Sequence, residues 1–183
     1  MPTCVANGVT LNYELAGTGE RLLSISGTGG DLRQNPGVAE GPLGQAFEVL
    51  SYDQRGLGQS SMPIWPYAMA DFAADSAALF DAVGWDDCLV IGVSFGGMVA
   101  QELAIRHPER VRRLVLACTS AGGAGGASFP LHELVSLTPE ERVTRQIGLL
   151  DTRWDEAWRR DHPRWWPSSP SACPRRRGSR PRA

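Results

Sequence analysis

Gly92-Val93-Ser94-Phe95-Gly96-Gly97 is the stretch on which the fold turns. Cys88–Val93 before it is a continuously apolar run that reads as a buried strand. Phe95–His107 after it reads as a helix that stops ahead of Pro108. Glycine-x-serine-x-glycine between a strand and a helix is the pattern of a nucleophile elbow. A strand that turns at once into a helix forces the central residue into strained backbone, with its side chain exposed. The residues two before and two after crowd one another, which explains glycine at Gly92 and Gly96. The helix also points its positive dipole end at Ser94, favouring negative charge that develops there. Ser94 is therefore expected at the tip of a tight turn.

Further out, strands and helices alternate. Asn7-Gly8 joins Thr3–Ala6 to Val9–Leu15, and Asn-Gly between β-rich runs predicts a hairpin. Arg21–Ser26 and Phe47–Asp53 read as buried strands, and Arg113–Cys118 as a further one. Phe72, Ala73, Leu79, Phe80 and Val83 fall on a helical period over 69–83, closed by Gly84. Apolar strands alternating with helices predict an α/β fold, a mostly parallel sheet covered on both faces with the hairpin as an antiparallel edge. Gly122–Ser128 reads as a flexible break. Beyond it Leu131–Trp158 is amphipathic and predicted helical, with Pro139-Glu140-Glu141 starting a helix near Thr138.

Composition narrows the function classes. The 183 residues are 42% hydrophobic and 21% charged, as in an ordinary soluble domain. No run approaches the ~20 apolar residues of a membrane span, and the start lacks a basic, then greasy, signal segment. A net charge of −2 argues against nucleic acid as a partner. Cys4, Cys88, Cys118 and Cys173 show no metal-binding spacing, so reduced thiols in the cytoplasm are expected, with no metal and no cofactor.

Charge is unevenly spread. Residues 1–160 hold 12 Arg against 19 acids, whereas 161–183 hold 6 Arg against 1 acid. That tail has 5 of the 13 prolines and no Leu, Ile, Val, Met or Phe, so disorder is expected there. All 18 basic residues are Arg, which suits GC-rich coding DNA, and such DNA read out of frame yields the composition of the tail. A frameshift product is the expectation for 161–183, with a basic arm for anionic partners as the alternative.

From about Leu22 to Ser120 the chain resembles the front half of the α/β-hydrolase family. Asp53-Gln54-Arg55-Gly56-Leu57-Gly58-Gln59-Ser60 resembles its D-x-R-G-x-G-x-S motif. Gly92–Gly97 with Met98–Ala104 resembles its elbow and helix, and His107-Pro108-Glu109-Arg110-Val111 is also typical of it. The resemblance implies an N-terminal hydrolase core at 1–121 and the start of a helical cap at 122–160. It implies that Asp53 and Arg55 brace loops near the site. It also implies an oxyanion hole from the backbone N–H groups of Thr28 and Phe95, with Ser26-Gly27-Thr28 in place of the family's His-Gly-x. That replacement resembles the small-molecule lactonase and esterase branch. Gly27–Gly30 read alone could instead be a phosphate loop, but it lacks the Lys-Ser/Thr ending.

Serine at the elbow, rather than aspartate, disfavours epoxide hydrolase and haloalkane dehalogenase chemistry. Ser94 with a histidine base implies acyl transfer to water, with a small ester or lactone as substrate. The family order places an acid and then a histidine after the serine. His107 lies at the far end of the elbow helix, nothing orients His132 as a base, and His162 borders the tail. The acid and histidine are thus not found in this chain, and negligible turnover is expected. The alternatives are a non-catalytic fragment, or an acyltransferase or cofactor-free haloperoxidase on the same site.

Overall fold

Asn7 and Gly8 adopt positive φ angles of 50° and 73°, the pair that a two-residue hairpin turn of the primed type requires. They join β1 (Thr3–Ala6) to β2 (Val9–Ala16), antiparallel with Ala6 opposite Val9. The structure is a computed structural model that describes residues 1–34, 37–122, 131–150, 153 and 155–162. It divides into two units, Met1–Ser128 and Phe129–Ala183.

In the first unit the hairpin pairs through β2 with β4 (Phe47–Tyr52), antiparallel, and the remaining strands run parallel. These are β3 (Glu20–Ile25), β5 (Cys88–Val93) and β6 (Val111–Ala117), in the sheet order β1-β2-β4-β3-β5-β6. The chain steps from β3 to β4 on one side, then crosses back to place β5 on the other. Such a reversal opens a crevice beyond the carboxyl ends of the two flanking strands, where α/β folds bind ligands. Here those ends carry Gly27 and Ser94, because Ile25 pairs in register with Gly92.

Two helices close the core over this sheet. α1 (Pro42–Ala46) is a short turn before β4, and α2 (Met69–Val83) and α3 (Phe95–Arg106) carry the packing. α2 opens where the Asp71 carboxylate accepts the Ala68 N–H at 2.7 Å and closes at Gly84 with φ 72°. Leu79 and Phe80 of α2 and Val99 and Leu103 of α3 are fully buried with Leu11, Leu23, Ile25 and Leu50 of the strands. Each such side chain contributes about 1.5–3 kcal/mol on burial.

The structure corrects one expectation. β6 starts at Val111 and is not a buried strand: Arg112 and Arg113 are exposed, as are Val115 (55%) and Leu116 (43%). It ends the sheet order, and its apolar composition alone does not reveal that position. The stretch 131–158 is helical in three pieces, one of them starting just after Thr138 as expected. It comprises a 3-10 helix (Leu131–Ser136), α4 (Pro139–Leu150) and α5 (Glu156–Asp161). The cause is capping chemistry at each new start. Thr138 N–H donates to Glu141 Oε2 at 2.9 Å while Glu141 N–H reaches Thr138 Oγ1 at 3.3 Å, a reciprocal box that begins α4. The Thr138 hydroxyl also donates to Glu141 Oε2 at 2.8 Å, and this bond, with that from the Thr138 N–H, holds the Glu141 carboxyl below the usual range. Asp155 accepts the Trp158 N–H at 2.8 Å and so begins α5. The glycine-rich break beyond Gly122 and the tail 163–183 lie outside the described residues.

No helix among the described residues is long and apolar enough to cross a membrane. Cys88 is fully buried, and desolvation pushes its thiol up to about 12 from an ordinary 9.0. The fold thus favours the neutral thiol. That contribution is fully present below pH ~9 and fades as pH rises towards 12, because the unfolded chain ionises first. At pH 8 iodoacetamide should modify exposed Cys118 while Cys88 stays untouched until denaturant is added. Native alkylation of Cys88 in a peptide map would contradict this packing.

Candidate active site

Ser94 joins β5 directly to α3 with φ 54° and ψ −119°, and its side chain is exposed. A β-carbon rarely tolerates positive φ, and holding it there costs about 1–3 kcal/mol. The main chain is clamped on both sides of the strain. Ser94 N–H donates to Ala117 O at 2.9 Å, and Ser94 O accepts from Gly97 N–H at 2.9 Å and Thr119 Oγ1 at 2.7 Å. The hydroxyl is left unengaged: Ser94 Oγ has no hydrogen-bond partner among the described residues of the first unit.

The flanking glycines have separable reasons. A β-carbon at Gly92 would strike Gly96 O and come within 2.7 Å of Gly97 Cα and 2.8 Å of Ala100 Cβ. One at Gly96 would run into the carbonyl oxygens of Ile25 and Ser26. The first glycine lets the turn close, and the second lets α3 sit against the exit of β3. That second contact joins two segments about seventy residues apart, so the local motif does not reveal it.

The exit of β3 thereby reaches the serine. A β-carbon at Gly27 would lie 3.2 Å from Ser94 Cβ. Gly30 N–H closes a turn onto Gly27 O at 3.1 Å, and Thr28 is exposed. The N–H groups of Thr28 and Phe95 have no hydrogen-bond partner among the described residues. Two unengaged backbone donors beside an exposed hydroxyl, one at a helix N-terminus, form an arrangement suited to an oxyanion.

Asp53 and Arg55 are committed elsewhere. Asp53 is 1% exposed and accepts from Asn12 Nδ2, Leu32 N and Gln59 N, each at 2.8 Å. Gly58 lies so close that a side chain there would overlap the Asp53 carboxylate. Arg55 Nε and Nη2 grip both oxygens of Asp75 at 2.7 and 2.6 Å. Its guanidinium, held above its ordinary pKa chiefly by the Asp75 hydrogen bond, lies over the Tyr67 and Phe72 rings. Phe72 in turn meets Phe95 edge to face at 5.2 Å. The motif thus braces the loops and, through Phe72, the residue after Ser94. The sequence reading missed Asp75. A charged residue on the apolar period of α2 was the available signal, since Asp75 is 1% exposed between Ala73 and Ala77.

No histidine of the first unit is placed at the serine. His107 caps the far end of α3, about 18 Å from Phe95 by helix rise, and lies 3.9 Å from Glu109. His162 stacks on Trp158 at 4.4 Å within the second unit. His132 belongs to the 3-10 helix of that unit, and its side chain is outside the described residues. No cluster of three His, Cys, Asp or Glu suited to a metal occurs among the described residues.

Comparison with known proteins gives one family. The model for the alpha/beta hydrolase fold matches residues 20–180. A 2-hydroxymuconate semialdehyde hydrolase of a Pseudomonas species is 36% identical over 132 residues, covering 70% of this chain and 45% of the relative. The 3-oxoadipate enol-lactonase 2 of Acinetobacter baylyi is 30% identical over 155 residues, covering 83% and 57% respectively. The crystal structure of the enol-lactonase from Burkholderia xenovorans aligns with a TM-score of 0.66 at 27% identity, covering 90% of this chain and 64% of that one. The chain spans about half the length of the curated relatives it matches. With its strand-turn-helix serine at the reversal of a mostly parallel sheet, the chain belongs to the α/β-hydrolase fold family.

Proposed function

We propose that this chain carries the nucleophile half of a serine hydrolase for a small carboxylic ester or lactone. The observation that carries the reading is the exposed Ser94 held at positive φ between β5 and α3, beside two unengaged backbone donors. Ser94 Oγ attacks the acyl carbon, its proton passes to a base, and the bond to the leaving oxygen breaks. Water then cleaves the acyl-serine ester. The N–H groups of Thr28 and Phe95 receive the negative charge on the carbonyl oxygen in both steps. The ester or lactone class is supported by the enol-lactonases among the relatives, an enol-lactone being a cyclic ester. The free thiols Cys4, Cys88 and Cys118 suit a reducing cytoplasm. A serine hydroxyl without a base is a weak nucleophile, and the sole histidine of the first unit caps the opposite end of α3. Turnover by the chain is accordingly a trace.

Prolonged exposure to a fluorophosphonate should add its mass to the Ser94 peptide alone, and Ser94→Ala should remove the adduct. Adducts elsewhere with Ser94 unmodified would refute the assignment. Hydrolysis of p-nitrophenyl acetate by the chain and by Ser94→Ala should differ by less than about 10³-fold, since intact triads owe more than that to their base. A larger difference would mean that a base reaches Ser94.

A further inference from the structure

We infer that Gln54 is the positioning residue of the oxyanion loop, an inference that rests on the function proposed for Ser94 and Thr28. Gln54 follows the fixed Asp53 and is 0% exposed. Its Nε2 donates to Ser26 O at 2.8 Å, across 28 positions of sequence. Ser26 O is also the carbonyl against which Gly96 packs. The peptide unit is planar, so fixing a carbonyl fixes the whole plane. Two planes lie between Ser26 and the Thr28 N–H. The Gln54 bond holds the Ser26–Gly27 plane. The bond from Gly30 N–H to Gly27 O holds the Gly27–Thr28 plane, which contains the Thr28 N–H. The hinge between them is Gly27, a residue with wide φ/ψ freedom. Without Gln54 the first plane is free to swing about that hinge and carry the donor off line.

A second observation separates this role from general packing. Gln54 Oε1 is buried and has no hydrogen-bond partner among the described residues. A wholly buried amide with one end unsatisfied is a poor choice for stability, and an apolar side chain would fill the space without that penalty. What the amide supplies is the Nε2 donor at Ser26 O. Only the NH₂ end can donate to a carbonyl, so the orientation of the amide is fixed by its partner.

The test uses the full chain and three variants: Gln54→Met, which keeps length without a donor; Gln54→Glu; and Ser94→Ala. Acetylation of Ser94 by p-nitrophenyl acetate is followed by intact mass across ester concentrations, giving a rate constant and a half-saturation concentration. Gln54→Met should lower the rate constant about 10- to 100-fold at unchanged half-saturation, the scale of a misplaced catalytic group. Gln54→Glu should be as slow at neutral pH and recover, relative to native at each pH, once acid protonates its carboxyl into an O–H donor. Amide order parameters at Gly27 and Thr28 should fall in Gln54→Met from the rigid ~0.85 towards ~0.6, with those of β5 unchanged. Native-rate acetylation with rigid amides in Gln54→Met would overturn the inference and leave Ser94 as nucleophile. Acetylation in the native chain that persists in Ser94→Ala would instead remove the function on which it rests.

Discussion

Asp75→Ala should destabilise the Met1–Ser128 unit by about 3–5 kcal/mol, seen as a fall in Tm on the order of 10–20 °C. The side chains of Arg55 and Asp75 are 7% and 1% exposed, and the guanidinium holds both carboxylate oxygens. Asn7 Nδ2 adds a bond at 3.0 Å to the same carboxylate, so the hairpin turn, the Asp53–Ser60 motif and α2 meet at one acid. Alanine at 75 leaves a buried cation with Asp71 O at 3.3 Å and the Asp71 carboxylate at 3.9 Å as its nearest acceptors. Removing both charges is a different experiment. Arg55→Met with Asp75→Leu takes away the desolvation cost together with the attraction, and such replacements often prove neutral or stabilising. The double variant should therefore melt well above Asp75→Ala, while losing the cation that lies over Tyr67 and Phe72. Urea unfolding followed by tryptophan fluorescence distinguishes these outcomes. A loss under 1 kcal/mol in Asp75→Ala would mean that solvent reaches the pair.

What was legible in the sequence is what local chemistry dictates. The Asn7-Gly8 turn, the span of α2 and the strand-turn-helix around Ser94 each depend on residues within a few positions of one another, and each stands where the pattern places it. The exposure of β6 was not legible, because an apolar strand reads alike at a sheet centre and at its edge, and strand order is a property of the whole chain. The break in 131–158 was half legible. Thr138 and Glu141 advertise a helix start, whereas Asp155 reads as one more acid on a solvated helical face, which hides its capping role. At the site, Ser94 announced itself through its glycines, but its supports did not. Asp75 acts on Arg55 from twenty positions away and Gln54 on Ser26 from 28. Spacing rules cannot reach across that distance, and only the folded register brings such pairs together.

Gly96→Ala, the addition of one methyl group, should cost about 3 kcal/mol, the upper end of what overpacking usually costs. Its β-carbon would meet the carbonyls of Ile25 and Ser26, with Ile25 C at 2.6 Å. Both obstacles are backbone, so no rotamer change relieves them. Either the first turn of α3 lifts away from β3, or the Ser26–Gly27 peptide rotates. The first movement withdraws the Phe95 N–H from Ser94, and the second breaks the 2.8 Å bond from Gln54 to Ser26 O. Ser94 acetylation should thus fall along with stability, by about tenfold or more. The same substitution in α4 is the control. Gly148 has nothing within 4 Å of an added β-carbon, and glycine-to-alanine inside a helix gains about 0.5–1 kcal/mol. One chemical change with opposite signs at two helical sites separates helix propensity from close approach. If Gly96→Ala unfolds at the native urea midpoint and Ser94 acetylates at the native rate, α3 does not depend on its contact with β3 to position the serine.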